Sequence, residues 1–137
     1  MTYRLDGAVA VVTHDDGKAN AYGHDALGAL GEALDAAERE ARAVVLLGRP
    51  GVFSAGFDLS VMTSSVEGMR GLVAAGARHL ARLFTFPLPV VVGCTGHALA
   101  AGALVLLSSD VRIGGTGGEK PSRIGLNEVA IGMPLPQ

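Results

Sequence analysis

Residues 89–110 constrain the fold of this chain more than any other stretch, because they join two opposite local preferences. The first third of this stretch, after Pro89, is a run of β-branched residues and predicts a fully buried strand. The last part, residues 100–109, is too rich in Ala and Leu to favour a second strand and predicts a helix. This helix has no polar face, so we expect it to lie inside the protein.

The start of this central helix lacks a capping side chain. Gly96-His97-Ala98-Leu99 lies between the strand and the helix, and no Ser, Thr, Asp or Asn directly precedes Ala100. The first backbone N–H groups of a buried helix need hydrogen-bond partners. A ligand oxygen is one candidate, because a helix N-terminus favours negative charge. The sequence therefore indicates a ligand at this position.

Composition bounds the kind of protein. The chain has 137 residues, of which 49% are hydrophobic and 18% charged, so we expect one globular domain with a large core. A net charge of −2 gives no electrostatic reason to expect nucleic acid or an anionic membrane as a partner. Gly, Pro and charged residues interrupt every apolar run before it reaches the length of a membrane span.

The N-terminus and the cysteine content favour a cytoplasmic setting. Residues 1–6 lack the basic and then apolar pattern of a signal peptide. Cys94 is the only cysteine, so no internal disulfide can form. Cys94 falls in the predicted central strand, and we interpret it as a small core residue.

The other segments alternate between strand and helix patterns, which predicts an α/β fold. The predicted elements are a hairpin turning at Asp6-Gly7, a helix over residues 25–41 capped by Asp25, a strand at Ala43–Leu47, a helix over residues 67–84 and a strand over residues 111–113.

Two segments have the form of a strand followed by a turn of small residues, residues 52–59 and 96–102. Gly and Ala there allow the main chain to approach a ligand closely. Two N–H groups that converge on one oxygen form an oxyanion hole. Small-residue turns are common, so the residues alone favour tight turns and close helix–strand packing over a ligand site.

The two segments together resemble the paired motif of the crotonase superfamily, the enoyl-CoA hydratase/isomerase family. The resemblance lies in Phe53-Ser54-Ala55-Gly56-Phe57-Asp58-Leu59 and, about forty residues later, in Gly96 to Ala103. Lys18-Ala19-Asn20-Ala21 resembles the family's loop on the coenzyme A side, and Gly125-Leu126-Asn127-Glu128 resembles its segment with a catalytic glutamate. The resemblance implies a crotonase-like ββα spiral core over residues 1–137, truncated before the C-terminal helices.

The resemblance also implies roles for individual residues. The backbone N–H groups of Phe57 and Ala101 correspond to the two oxyanion donors, which hold the thioester carbonyl oxygen of an acyl-CoA. Phe57 also departs from the family, because a small residue is usual at its position, and its side chain narrows the acyl pocket. The remaining substrate-binding positions implied are Lys18, Ala19, Ala55, Gly56, Asp58, Leu59, Met62, Gly102 and Leu104, with Leu59 and Met62 lining the acyl pocket. Asp58 is also a candidate for turn or capping hydrogen bonds, and His97 for a structural one.

From the residues alone Glu128 is interpreted as a solvated or capping residue. The resemblance makes it the family's general acid/base, a carboxylate whose pKa an apolar pocket would raise. Hydratases of the family use two glutamates, and the second would fall at Leu104. Because leucine cannot orient water or move a proton, we expect isomerase-like proton transfer rather than hydration. The alternative is a crotonase-like protein that binds acyl-CoA without catalysis.

The resemblance finally implies the partners of the protein. The ligand is an acyl-CoA, with coenzyme A as part of the substrate and no separate cofactor. A full-length member would form a homotrimer or a dimer of trimers through its C-terminal helices. His14, His24 and His79 share no spacing typical of a metal site.

Overall fold

The computed structural model describes residues 1–115, 121–127 and 132, with an α/β arrangement of strands and helices. The strands are β1 (Thr2–Asp6), β2 (Val9–Thr13), β3 (Ala43–Leu47), β4 (Gly51–Ser54), β5 (Val90–Cys94), β6 (Gly96–Leu99), β7 (Val111–Gly114) and β8 (Ile124–Gly125). The helices are α1 (His24–Glu40), α2 (Leu59–Met62), α3 (Val66–Phe84) and α4 (Ala101–Leu107).

The strands form two sheets. The larger sheet has the order β1-β2-β3-β5-β7 and the smaller one the order β4-β6-β8. β1 and β2 form the predicted hairpin and pair antiparallel, with Gly7 at a φ of 58° in the turn. All the other pairs are parallel. The three central strands β2, β3 and β5 alternate buried and half-buried residues, because helices or the second sheet cover their inner face.

The chain steps repeatedly from the larger sheet to the smaller one and then into a helix. β3 leads to β4 and then to α2 and α3, and β5 leads to β6 and then to α4. Only Thr95 separates β5 from β6. This repeated strand–strand–helix unit is the ββα spiral that the sequence predicts.

The structure corrects several predicted boundaries. α1 begins at His24 with Gly23 as its N-cap, so Asp25 lies in the first turn and is not the cap. α4 begins at Ala101 and ends at Leu107, shorter than predicted. Leu107 is 65% exposed, so the prediction of a helix buried on every side is wrong at its outer face. β4 and β6 lie at the start of the two segments that have the form of a strand and a turn, whereas α2 is not predicted, because its four residues show no clear period.

The hydrophobic core lies between the larger sheet and the helices. Leu34 on α1, Leu72 on α3, and Val44, Val90 and Val92 on the sheet are fully buried. Cys94 is buried as predicted, and its Sγ donates to the Gly96 carbonyl oxygen over 3.1 Å. Among the described residues, no helix combines the length and the apolar character needed to cross a membrane.

Candidate active site

The predicted coenzyme A loop lies beside the turn that follows β4. The Ala55 N–H donates to the Ala19 carbonyl oxygen over 3.0 Å. The Tyr22 N–H donates to the Gly56 carbonyl oxygen over 2.8 Å, and the Asp58 N–H donates to the Tyr22 carbonyl oxygen over 3.1 Å. These bonds bring together two segments that are more than thirty residues apart in the sequence.

The turn at Gly56 also touches the turn that begins α4. Gly56 has a φ of 97° and Ala100 a φ of 50°, both in the region that favours glycine. A methyl group on Gly56 would lie 2.7 Å from the Ala100 Cβ and 3.3 Å from the Ala101 nitrogen. A side chain at position 56 would therefore fill the space between the two turns.

Each of the two touching turns is followed by a residue with an uncommitted backbone donor. Within residues 1–115 and 121–127, neither the Phe57 N–H nor the Ala101 N–H donates a hydrogen bond. The neighbouring groups are engaged, since the Ala100 N–H donates to the Gly125 carbonyl oxygen over 3.0 Å and the Ala103 N–H donates to the Ala100 carbonyl oxygen over 2.9 Å. Such unpaired N–H groups are costly unless water or a ligand accepts from them.

The buried residue Ser54 contacts both turns, through hydrogen bonds at one and close packing at the other. Ser54 is 0% exposed, and its Oγ donates to the Asn20 carbonyl oxygen over 2.7 Å and accepts from the Gly56 N–H over 3.1 Å. A methyl group on Gly102 would lie 2.7 Å from the Ser54 carbonyl oxygen, so α4 packs against β4 with no room for a side chain. Ser54 and Gly102 thus fix how the two turns lie against each other.

Asn20 anchors the loop that carries Lys18. It is 0% exposed and has a φ of 52°. Its Nδ2 donates to the carbonyl oxygens of His14 at 2.7 Å, Val52 at 3.2 Å and Phe53 at 3.3 Å. The exposed Lys18 side chain therefore projects from a loop that is tied to β4.

Asp16 and Arg49 complete the anchoring of this loop. Burial raises the pKa of the Asp16 carboxyl, but hydrogen bonds from the Asn20, Lys18 and Ala21 N–H groups outweigh it and lower the pKa overall. The Arg49 guanidinium donates to the Lys18 carbonyl oxygen from both Nε and Nη2. The loop is thus anchored by its own Asp16 carboxylate and by the Arg49 guanidinium.

A small apolar pocket lies behind the two donor residues. Phe57 and Ala101 both line it, together with Tyr22, Leu27 and Leu30 from the α1 side and Gly76, His79, Leu80 and Leu83 from α3. Its volume is about 10 Å³, barely room for one water molecule. Burial raises the pKa of the Tyr22 phenol well above its ordinary value, so this ring stays neutral in the pocket wall.

Two residues that are expected to line the acyl pocket do not line this small pocket. Leu59 is 59% exposed and Met62 is buried in the core, and neither lines the pocket. Asp58 caps α2, where it accepts from Ser60 Oγ over 2.6 Å and from the Ser60 N–H over 2.8 Å. Both bonds lower the pKa of the Asp58 carboxyl, and the bond from the Ser60 hydroxyl has the larger effect.

The remaining predicted residues lie on α4, on β6 and near the chain end. Leu104 is partly buried on α4, and its N–H donates to the Ala100 carbonyl oxygen over 3.1 Å. His97 Nδ1 accepts from the Arg123 N–H over 2.9 Å, which is the structural hydrogen bond expected of it. Glu128 lies outside the described residues.

Sequence reasoning does not find three residues of the site. Asn20 and Ser54 join the two predicted loops, and Gly76 makes room for the Phe57 ring. Asn20 carries a usable signal, because asparagine tolerates a positive φ in a polar loop. Ser54 and Gly76 carry none, since a serine in an apolar segment and a glycine within a helix are common far from any binding site.

Comparisons with known proteins identify the family of the chain. The family model for enoyl-CoA hydratase/isomerase matches residues 4–136. A probable enoyl-CoA hydratase of Bacillus subtilis is 30% identical, and the match covers 97% of this chain and 52% of that protein. The chain thus spans about half the length of the curated relatives it matches.

Solved structures show the same fold. The chain is similar to an enoyl-CoA hydratase/isomerase family protein from Pseudomonas syringae with 48% identity and a TM-score of 0.94, over 98% of this chain and 57% of that one. It is also similar to human mitochondrial delta3-delta2-enoyl-CoA isomerase with 33% identity and a TM-score of 0.88, over 98% of this chain and 54% of that one. The chain therefore belongs to the enoyl-CoA hydratase/isomerase family and has the N-terminal core of the crotonase fold.

Proposed function

We propose that this protein is an enzyme of the hydratase/isomerase type, which binds an acyl-CoA thioester and stabilises its enolate. The observation that carries the proposal is the pair of N–H groups on Phe57 and Ala101. They follow two turns that touch at Gly56 and Ala100, and within the described chain they have no acceptor. A thioester carbonyl oxygen is the acceptor we assign to them.

Loss of a proton from the α-carbon places negative charge on that oxygen. Backbone dipoles that are already oriented stabilise this charge more than they stabilise the neutral carbonyl, and this difference lowers the barrier. Removing one such donor typically costs about 3–4 kcal/mol of transition-state stabilisation. Ser54 and Gly102 support this role because they fix the two turns.

Glu128 is our proposed general acid/base. β8 brings Gly125 to the Ala100 turn, and Glu128 follows Gly125 by three residues in the sequence. In isomerase-like chemistry its carboxylate takes the proton from the α-carbon of a 3-enoyl-CoA and returns it to the γ-carbon, so the double bond moves and no water is consumed.

Leu104 favours this isomerase-like reaction over hydration. It stands where hydratases of the family have a second glutamate, and an alkyl side chain cannot hold or activate water. The names of the relatives include both hydratase and isomerase, so they allow either reaction. One carboxylate suffices to move a proton between two carbons, which is why the residues of this chain favour isomerisation.

Lys18 and its loop are proposed to contact the coenzyme A part of the substrate. The support is the exposed ammonium group on a loop that Asn20 and Arg49 anchor beside Ala55 and Gly56. We also propose a homotrimer or a dimer of trimers for the full-length protein, in the cytoplasm, and light scattering of that protein tests the assembly.

The test of the proposed reaction is Glu128→Gln, assayed on 2-enoyl-CoA and 3-enoyl-CoA substrates. We expect kcat with 3-enoyl-CoA to fall by at least about a hundredfold, because proton transfer by a placed side chain contributes roughly that much or more. Glu67→Gln, at the exposed start of α3, is the matched control and keeps wild-type turnover. Unchanged turnover in Glu128→Gln on both substrates would refute the proton-transfer role.

Leu104 also supports a second candidate, a protein that binds acyl-CoA without catalysis. Such a protein keeps the donor pair and lacks the groups that activate water. Calorimetry that detects acyl-CoA binding, combined with no turnover of either enoyl-CoA, would decide for this candidate.

A further inference from the structure

The Phe57 side chain closes the apolar pocket behind the donor pair. Phe57 and Ala101 carry the two donors, and both residues also line this pocket. The Phe57 ring lies directly on the α3 backbone at Gly76. A methyl group on Gly76 would be 2.3 Å from both Cε1 and Cζ of the ring. Glycine at position 76 is therefore what allows the ring to take this place.

The space left beside the ring is too small for an acyl chain. The pocket has a volume of about 10 Å³, and apolar residues of α1, α3 and α4 line most of it, with Tyr22 and His79 also in its wall. A single water molecule already needs about this much room. A thioester held by the two N–H groups can extend a longer acyl chain into this pocket only if the Phe57 ring leaves it.

We propose that Phe57, seated on Gly76, sets the acyl-chain length of the substrate and restricts it to short acyl thioesters. This inference rests on the proposed function, because it assumes that the thioester oxygen lies at Phe57 and Ala101. A chain that ran instead along the open groove lined by Gly23, Asp25 and Asp58 would not meet the ring. That groove has two carboxylates in its wall and is a poor site for an alkyl chain.

Calorimetry with saturated acyl-CoA ligands tests the inference independently of turnover. The complete protein is titrated with coenzyme A and with butanoyl-, octanoyl- and dodecanoyl-CoA. In wild type we expect octanoyl-CoA to bind no more tightly than butanoyl-CoA. In Phe57→Ala we expect the ratio of octanoyl to butanoyl affinity to rise by at least about tenfold, since each buried methylene is worth about fourfold in affinity.

Two further variants separate the pocket from a general effect of mutation. Phe84→Ala truncates a phenylalanine that is 76% exposed on α3, the helix that carries Gly76. This variant should keep the wild-type ratio of octanoyl to butanoyl affinity. Gly76→Ala should weaken butanoyl-CoA binding, because its methyl group displaces the ring towards the donors, and adding Phe57→Ala should restore that binding. Should Phe57→Ala fail to fold by circular dichroism, Phe57→Leu provides the same comparison with a smaller expected rise in the ratio.

The outcomes distinguish this inference from the proposed function. Wild-type affinity that rises steadily from butanoyl- to dodecanoyl-CoA, or an unchanged ratio in the Phe57 variants, would overturn the chain-length role while leaving thioester binding intact. Acyl-CoA ligands that bind no better than coenzyme A in wild type and in every variant would overturn the proposed function and this inference with it.

Discussion

Ala100 has a backbone conformation that an alanine rarely adopts. Its φ of 50° and ψ of −122° match the first central position of a type II′ turn, where glycine dominates. Such a residue costs on the order of 1–3 kcal/mol and persists only when its surroundings hold it. Hydrogen bonds on its N–H and carbonyl oxygen hold Ala100, and the next N–H, that of Ala101, has no acceptor in the described chain.

Replacing this alanine should stabilise the protein. Ala100→Gly removes the strain and adds about 0.5–1 kcal/mol of backbone entropy cost, so we expect a net gain of about 1 kcal/mol in the free energy of unfolding. Urea denaturation measures it. A variant less stable than wild type would show that the conformation carries no strain.

Some residues of the site can be predicted from the sequence and others cannot, and the difference has a physical reason. Small residues mark the two segments that contain Phe57 and Ala101, but only the resemblance to the family singles out these two residues, as it does Lys18 and Ala19. The contacts of Ser54 and Gly76 depend on which segments meet in space, and a single sequence does not encode that meeting locally.

Among the elements, β4 and β6 do the most to bring the site together. They pair in parallel with Gly51 opposite Gly96, and each leads directly into one of the two donor turns. Both lie in segments with the form of a strand and a turn, but their bounds and their pairing are not predictable from the sequence, whereas the longer helices α1 and α3 are predicted nearly to the residue. Strands of four residues carry too few positions for a period to show.

Gly96 tests the importance of this pairing. In Gly96→Ala the new methyl group would lie 1.9 Å from the Gly51 carbonyl carbon and 2.4 Å from the Val52 nitrogen, so the two strands must separate. We expect a loss of about 3 kcal/mol or more in the free energy of unfolding, measured by urea denaturation.

The matched control for this variant is Gly114→Ala at the end of β7. Among the described residues, no atom lies within 4 Å of where its methyl group would be. This variant should unfold at nearly the wild-type midpoint. Equal midpoints for Gly96→Ala and wild type would mean that β4 and β6 are not packed as closely as described.

At the scale of the whole molecule, the spiral places the site where the larger sheet, the smaller sheet and the helices meet. His14 lies at this junction, 7% exposed at the end of β2, with its ring stacked on Tyr22 at 5.4 Å. The Tyr22 backbone in turn pairs with that of Phe57 in an isolated parallel β-bridge. The repeated α/β order is predictable from the sequence, but this junction is not, because it depends on how the two sheets cross.

His14 makes the stability of the molecule sensitive to acid. Burial lowers its pKa, and the nearby Asp16 carboxylate opposes this only in part. The unfolded chain, with a histidine pKa near 6.5, therefore binds more protons than the folded one as the pH falls below about 6.5. The contribution of neutral His14 to the free energy of unfolding is therefore present above about pH 6.5 and is lost as the pH falls through the lower pKa of the folded state.

Urea midpoints measured between neutral pH and about pH 5 check this effect. Wild type should lose stability across this interval, and His14→Phe, which keeps a ring against Tyr22, should lose less. Parallel curves for the two proteins would show that His14 does not couple protonation to folding.

A crystal structure of the complete protein with butanoyl-CoA would show whether Phe57 and Ala101 hold the thioester oxygen. The deciding measurement is the distance from the thioester carbonyl oxygen to each of the two backbone nitrogens. We predict that both distances are about 2.7–3.1 Å, the range of a working oxyanion hole. A bound thioester whose oxygen lies within hydrogen-bond distance of neither nitrogen would contradict the account.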